Sequence, residues 1–191
     1  MSRRHLGKIT RLQVHLAALA LETGYDPSRL VVVEELAIGP LGVAGFRDGE
    51  WVLDVHHRAH PEARGDGRRA VSIGFAGHYR LMAERFGDVP PGVGAENLVL
   101  DTEGRVSQAD LAGTVVIACE HGEVPLTGAR VARPCRQFTS FLLGRPDVAP
   151  RDEIAAELEF LDDGMRGFIL ATDLVERPAR VHVGDDVWVD R

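Results

Sequence analysis

Residues 8–16 read Lys-Ile-Thr-Arg-Leu-Gln-Val-His-Leu, KITRLQVHL, and the reading of this stretch decides the fold. Arg3 and Arg4 stand before it, and Ala18-Leu19-Ala20 after it resembles a signal-peptidase site. Gln13 and His15, however, interrupt the apolar run. Leu12, Val14 and Leu16 alternate with them at a period of two, as in a half-buried strand. Lys8–Leu16 is therefore read as the first strand of the fold and not as a leader. No run reaches the ~18 apolar residues that a membrane helix needs.

Working outward from that strand, short β-type segments recur. Leu30–Leu36 (LVVVEEL) is β-branched and predicts a second strand. Gly39–Gly45 carries three glycines and a proline, which we read as backbone freedom. Asp48-Gly49 predicts a hairpin between Ala44–Phe46 and Trp51–Leu53. Phe75, Tyr79, Met82 and Phe86 fall on one helical face, so Val71–Phe86 is predicted as a helix ended by Gly87. Thr114–Cys119, Glu123–Ala132 and Gly167–Thr172 predict strands. Asp152 is expected to cap a helix running to Asp162, with Ile154, Leu158 and Leu161 as its buried stripe. Arg180–Val183 and Asp186–Val189 predict a closing hairpin around Gly184-Asp185. Several short strands and two or three helices, without dinucleotide-type βαβ alternation, predict a mainly β fold. The expected architecture is one domain over residues 1–191, an antiparallel β-barrel-like body with helices packed outside.

Composition narrows the functions. The 191 residues carry a net charge of −7, which argues against a nucleic-acid backbone as partner. There is a single lysine, Lys8, on the presumed first strand, and a pyridoxal-phosphate enzyme needs a lysine for its Schiff base. That class is excluded. Two cysteines make no disulfide scaffold, and reduced thiols suit a cytoplasmic protein.

The chemistry-bearing residues cluster in two stretches. Asp54–Arg69 is the most polar and holds His56, His57 and His60. Adjacent strand residues point to opposite faces, and no HExxH spacing occurs, so a solvated or pocket-covering loop is preferred to a zinc site. Ala129–Leu143 holds Cys135, directly after Pro134 and flanked by Arg133 and Arg136. Positive charge favours the thiolate, the form that binds metal or attacks. Free cysteine is equally a small core residue, and a lone one needs spatial partners to mean anything. Cys119, on an apolar strand, is expected to be buried and inert.

Five pieces in order resemble the MOSC family, named for the C-terminal domain of molybdenum-cofactor sulfurases. They are Gly42-Val43-Ala44-Gly45; His56-His57 with Arg69-Ala70-Val71; Gly94-Ala95-Glu96-Asn97, a split GEN motif; Arg133-Pro134-Cys135; and Val183-Gly184-Asp185. The chain departs from the family pattern at Phe46, at Ala95 within GEN, and in the longer segment after His57. The resemblance implies a barrel with Cys135 in its pocket, as a molybdenum ligand or a persulfide carrier. It implies a molybdopterin cofactor held by Arg69, Arg133 and Arg136, with Asn97 on the pterin edge and Glu96 fixing its loop. Sulfur transfer or reduction of N-hydroxylated compounds would follow, with electrons or sulfur from a separate protein. Two other readings stand beside it. One is a small-ligand-binding domain that has lost the chemistry. The other is a metal hydrolase built on His56, His57 and His60.

Overall fold

A computed structural model of the chain describes residues 2–63 and 70–191. The strand read first is its longest. β1 spans Arg3–His15, and it bonds antiparallel to three different partners along its length. Leu12 and Val14 are fully buried, as the alternation requires, but Gln13 is buried too and His15 nearly so, while Leu16 is exposed. The strand is thus covered on both faces, one apolar and one polar.

The short strands β2 (Ala20–Leu21) and β3 (Gly24–Tyr25) form a small ribbon. The segment expected as one strand over Leu30–Leu36 is two. β4 (Leu30–Val32) pairs with β1, whereas β5 (Glu35–Gly39) joins a second sheet. The chain crosses between them where the Val33 N–H still donates to Leu12 and the Glu34 N–H already donates to Phe46. β6 (Gly42–Arg47) and β7 (Glu50–Leu53) make the expected hairpin. Asp48 and Gly49 both take positive φ, 52° and 85°, as a two-residue turn of this hand needs. In the GVAG motif the glycines serve different ends. Gly42 uses its freedom at φ 118°. Gly45 is there for space, since a Cβ would lie 2.9 Å from Val14 Cγ1 and 2.6 Å from Val33 Cγ1.

The helix expected over Val71–Phe86 is a strand followed by a helix: β8 (Val71–Phe75) and α1 (Ala76–Phe86). Phe75 precedes the helix and packs in the barrel core, while Tyr79 and Met82 keep the buried helical face. The β-branched, alternately buried start of the segment pairs with its neighbours, and that tertiary bonding overrides the helical spacing. β9 (Leu98–Leu100) returns parallel to β8, so one βαβ unit lies within an otherwise antiparallel sheet. β10 (Thr114–Cys119) and β11 (Gly122–Val131) follow, then α2 (Arg136–Leu142) and α3 (Ala155–Leu161). Ile154, Leu158 and Leu161 are buried as expected, but Ile154, not Asp152, occupies the cap position of α3, without a side-chain bond.

β12 (Phe168–Ala171), β13 (Ala179–His182) and β14 (Asp186–Asp190) complete the chain. The expected closing hairpin does not pair with itself. β13 adds to β5 in the second sheet, and β14 inserts between β1 and β10. That insertion closes a seven-strand barrel, β14-β10-β11-β12-β8-β9-β1, with the three helices outside it. The fold class is as read from the sequence, mainly β, with one parallel pair. Phe75, Phe168, Leu12 and Leu36 are among the largest fully buried side chains of the main core. Tyr79, Met82, Phe138 and Leu161 form a second apolar cluster beneath the helices. Among the described residues no helix is long and apolar enough to cross a membrane.

Candidate functional site

Where β1 ends and the split GEN segment begins, a cavity of about 1600 Å³ opens. Its wall takes His15 from β1, His56 and Arg58 from the loop after β7, Glu96 and Asn97 ahead of β9, Arg133 and Cys135 ahead of α2, and Arg166 ahead of β12. The polar face of the first strand therefore reaches the cavity through His15, while Gln13 behind it donates to the Gly92 carbonyl.

Cys135 caps α2, and its partly exposed Sγ lies 3.5 Å from the Phe138 N–H. The guanidinium of Arg166 reaches the same sulfur at 3.7 Å. Arg166 is held there from several sides. Its Nε donates to the Gly94 carbonyl at 3.1 Å, Nη1 donates to the Arg133 carbonyl at 3.3 Å, and its plane stacks 4.8 Å from the Phe138 ring centre. The thiol thus has a fixed cationic neighbour, but it is not either of the arginines adjacent in sequence. Arg133 lines the cavity by an exposed side chain. Arg136 turns away, toward the Ala149 carbonyl at 3.5 Å, and is no part of the wall. Arg69 lies outside the described residues. Cys119 is half-buried and its Sγ donates to the Gly122 carbonyl at 3.3 Å, so it is less covered than expected.

The GEN segment is built for burial. Ala95 sits at φ 74°, where a Cβ costs about 1–2 kcal/mol. Glu96 is 2% exposed and accepts a 2.6 Å bond from the Tyr79 hydroxyl, which itself accepts from the Gly94 N–H at 3.0 Å. Gly74 and Gly94 make the room: a Cβ on either would stand 2.6 or 2.8 Å from Glu96 Oε1. Burial pushes the Glu96 carboxyl up to about 7, against the downward pull of the Tyr79 bond. Burial, with Glu96 beside it, also pushes the Tyr79 phenol well up, so that group remains a donor.

Asn97 spends its hydrogen-bonding groups within the protein. Its Oδ1 accepts from the Ser72 N–H and hydroxyl, and its Nδ2 donates to the Gln13 carbonyl and to Asp54 Oδ2 at 2.9 Å. It clamps β1, β8 and Asp54 together. Asp54, 1% exposed, then accepts four bonds: at Oδ2 from Asn97 and the His15 N–H, at Oδ1 from the His56 N–H and from His56 Nδ1, each 2.9 Å. Burial by itself would raise this carboxyl. The neighbouring imidazoles and the N–H donors outweigh it and hold Asp54 well below the usual range. His15, buried with its ring edge-on to His56 at 5.4 Å, is pushed below the usual imidazole range by that burial.

His15, Asp54 and His56 place one potential ligand atom each within 4.8 Å of one another. A metal there would have to displace one of the four bonds that fill Asp54. The other histidines of the loop are spent locally. His57 Nδ1 accepts from the Ala59 N–H, and His60 Nδ1 from the Glu62 N–H, each at 3.1 Å. Of the site residues read from the sequence, Cys135, Arg133, Glu96 and Asn97 come together around the cavity. Arg166, Asp54, His15 and Tyr79 were not anticipated. Asp54 opens the polar histidine stretch and Gln13 and His15 break an apolar strand, which are the signals that mark a polar inner face.

A family model for the MOSC domain matches residues 46–188. No curated protein matches the sequence. Among solved structures, the fold is similar to that of YuaD protein from Bacillus subtilis, at 20% identity and a TM-score of 0.63, covering 98% of this chain and 97% of that one. It is also similar to YiiM from Escherichia coli, at 17% identity and a TM-score of 0.50, covering 96% of this chain and 70% of that one.

Proposed function

The chain belongs to the MOSC domain family, and on that premise we propose that it holds a molybdenum cofactor in this cavity, with Cys135 Sγ as ligand to the metal, and reduces N-hydroxylated compounds. The observation that carries the reading is the Cys135–Arg166 pair at 3.7 Å in the wall of an open cavity of about 1600 Å³. The donor set fits the group. A thiol is the soft ligand that molybdenum takes, and guanidinium groups are the donors that a pterin phosphate takes. Arg133, Arg58 and Arg166 line the cavity for the phosphate. Glu96 and Asn97 shape the wall behind it. When bound, the cofactor would supply two-electron redox chemistry, and a separate redox protein would supply the electrons.

The test is elemental and pterin analysis of protein from a host that makes the cofactor. The expected result is molybdenum and oxidised-pterin fluorescence in the native protein, with molybdenum lost in Cys135→Ser while the fold persists. Native protein with neither metal nor pterin overturns the reading. A mass increment of one sulfur atom on Cys135, without metal, would instead support a persulfide carrier.

A further inference from the structure

Asp54 and His56 form a unit that metal ligation by Cys135 does not require. Asp54 is buried and accepts from three N–H groups whose protons are fixed, the Asn97 amide and the backbones of His15 and His56, so it is an ionised carboxylate that can only accept. The 2.9 Å contact from His56 Nδ1 to Oδ1 therefore carries its proton on the imidazole. The ring's other nitrogen, Nε2, is then the one offered to the cavity that His56 lines, where the side chain is 34% exposed. A carboxylate behind a histidine sets both its tautomer and its orientation.

We infer that His56 is the proton-transfer group of this cavity, with Asp54 as the positioning residue that holds Nδ1–H on the carboxylate and turns Nε2 toward the bound ligand. Among the described residues, the titratable and charged groups in contact with it or sharing its cavity include Asp54 and His15 beside the ring, Arg58 and Glu62 from its own loop, and Glu96, Arg133, Cys135 and Arg166 on the other walls. Together with the cofactor reading on which its substrate rests, this assigns a step. As the N–O bond of an N-hydroxylated compound breaks, the His56 imidazolium passes the Nε2 proton to the departing oxygen. Two electrons enter from the external redox protein and a second proton from water. The products are the N–H compound and water, and His56 recovers its proton from solvent.

The first test needs no cofactor. In 15N-histidine NMR of the full chain, the neutral His56 ring is expected as the Nδ1–H tautomer, its signals assigned by their loss in His56→Gln. An Nε2–H tautomer overturns the inference. Asp54→Asn, where it folds, is expected to mix or reverse the tautomer, because the amide can donate to Nδ1; an unchanged tautomer would deny Asp54 its positioning role. In cofactor-loaded protein, His56→Gln is expected to keep its molybdenum and pterin and lose about 100-fold or more in turnover. Unchanged turnover overturns the proton-transfer role and leaves the cofactor reading standing. Absence of metal and pterin in the native protein defeats the cofactor reading alone, and the tautomer still decides the Asp54–His56 unit.

Discussion

Two carboxylates are buried in the wall of one cavity, Asp54 at 1% exposure and Glu96 at 2%, yet their charges differ. Asp54 meets four N–H donors and stays ionised. Glu96 meets the Tyr79 hydroxyl among apolar and glycine-lined surroundings and titrates near neutrality. Burial penalises both anions, so the imidazoles beside Asp54 and its larger number of donors are what separate them. Asp54 organises its neighbours by accepting from them. Glu96 occupies space as a group that is neutral in acid and charged in alkali.

Breaking the Asp54 side should have the largest effect. Asp54→Ala leaves four N–H groups without their acceptor, and a loss of about 3–5 kcal/mol in denaturant unfolding is expected. A loss under about 1 kcal/mol would mean that those donors find other partners and that Asp54 organises little.

The Glu96 side should appear as a pH dependence. Its folded value, about 7, lies above the ordinary 4.5, so the folded chain binds this proton more tightly. The stability it contributes is full below about 4.5 and is lost as pH rises through about 7. At about 1.4 kcal/mol per pH unit the change is on the order of 3 kcal/mol. The difference between the native chain and Glu96→Gln, followed by chemical denaturation across that range, isolates this contribution from the other titrating groups. Asp54 acts in the opposite sense: its contribution is present above the ordinary carboxylate value and falls away in stronger acid. A flat Glu96 difference profile would erase the contrast between the two carboxylates.

The smallest change sharpens the comparison. Tyr79→Phe removes the hydroxyl bonded to Glu96 and the acceptor of the Gly94 N–H, and should cost about 1–2 kcal/mol. It should also move the Glu96 midpoint further upward, because the bond to the charged form is lost. A downward movement would show that Tyr79 does not restrain the charge on Glu96.

The sequence carried the strand at Lys8, the Asp48-Gly49 hairpin, the α3 stripe and the family resemblance, because each rests on local period or on a short ordered motif. It misled where neighbours decided. Phe75 sits at helical spacing from Tyr79 and Met82, but β12 and β9 claim the segment before it as a strand. Arg180–Val183 and Asp186–Val189 look like a hairpin, but β5 and β1 draw them into different sheets. At the site, Cys135 was legible from its setting between Pro134 and Arg136. Its cationic neighbour, Arg166, was not, because thirty-one positions of chain separate them and only the barrel brings them together.

By itself, then, the sequence determined that the chain is mainly β, which cysteine sits at a charged junction, and which family pattern the chain follows. The tertiary structure alone decided what those residues face. It put His15 of KITRLQVHL in a cavity wall, spent Asn97 on a clamp, sent Arg136 away from the cavity, and gave two buried carboxylates unequal numbers of donors. Local periodicity reports which side of a strand is apolar. The charge of a buried group depends on donors from distant segments, and only closure of the barrel brings those within 3 Å.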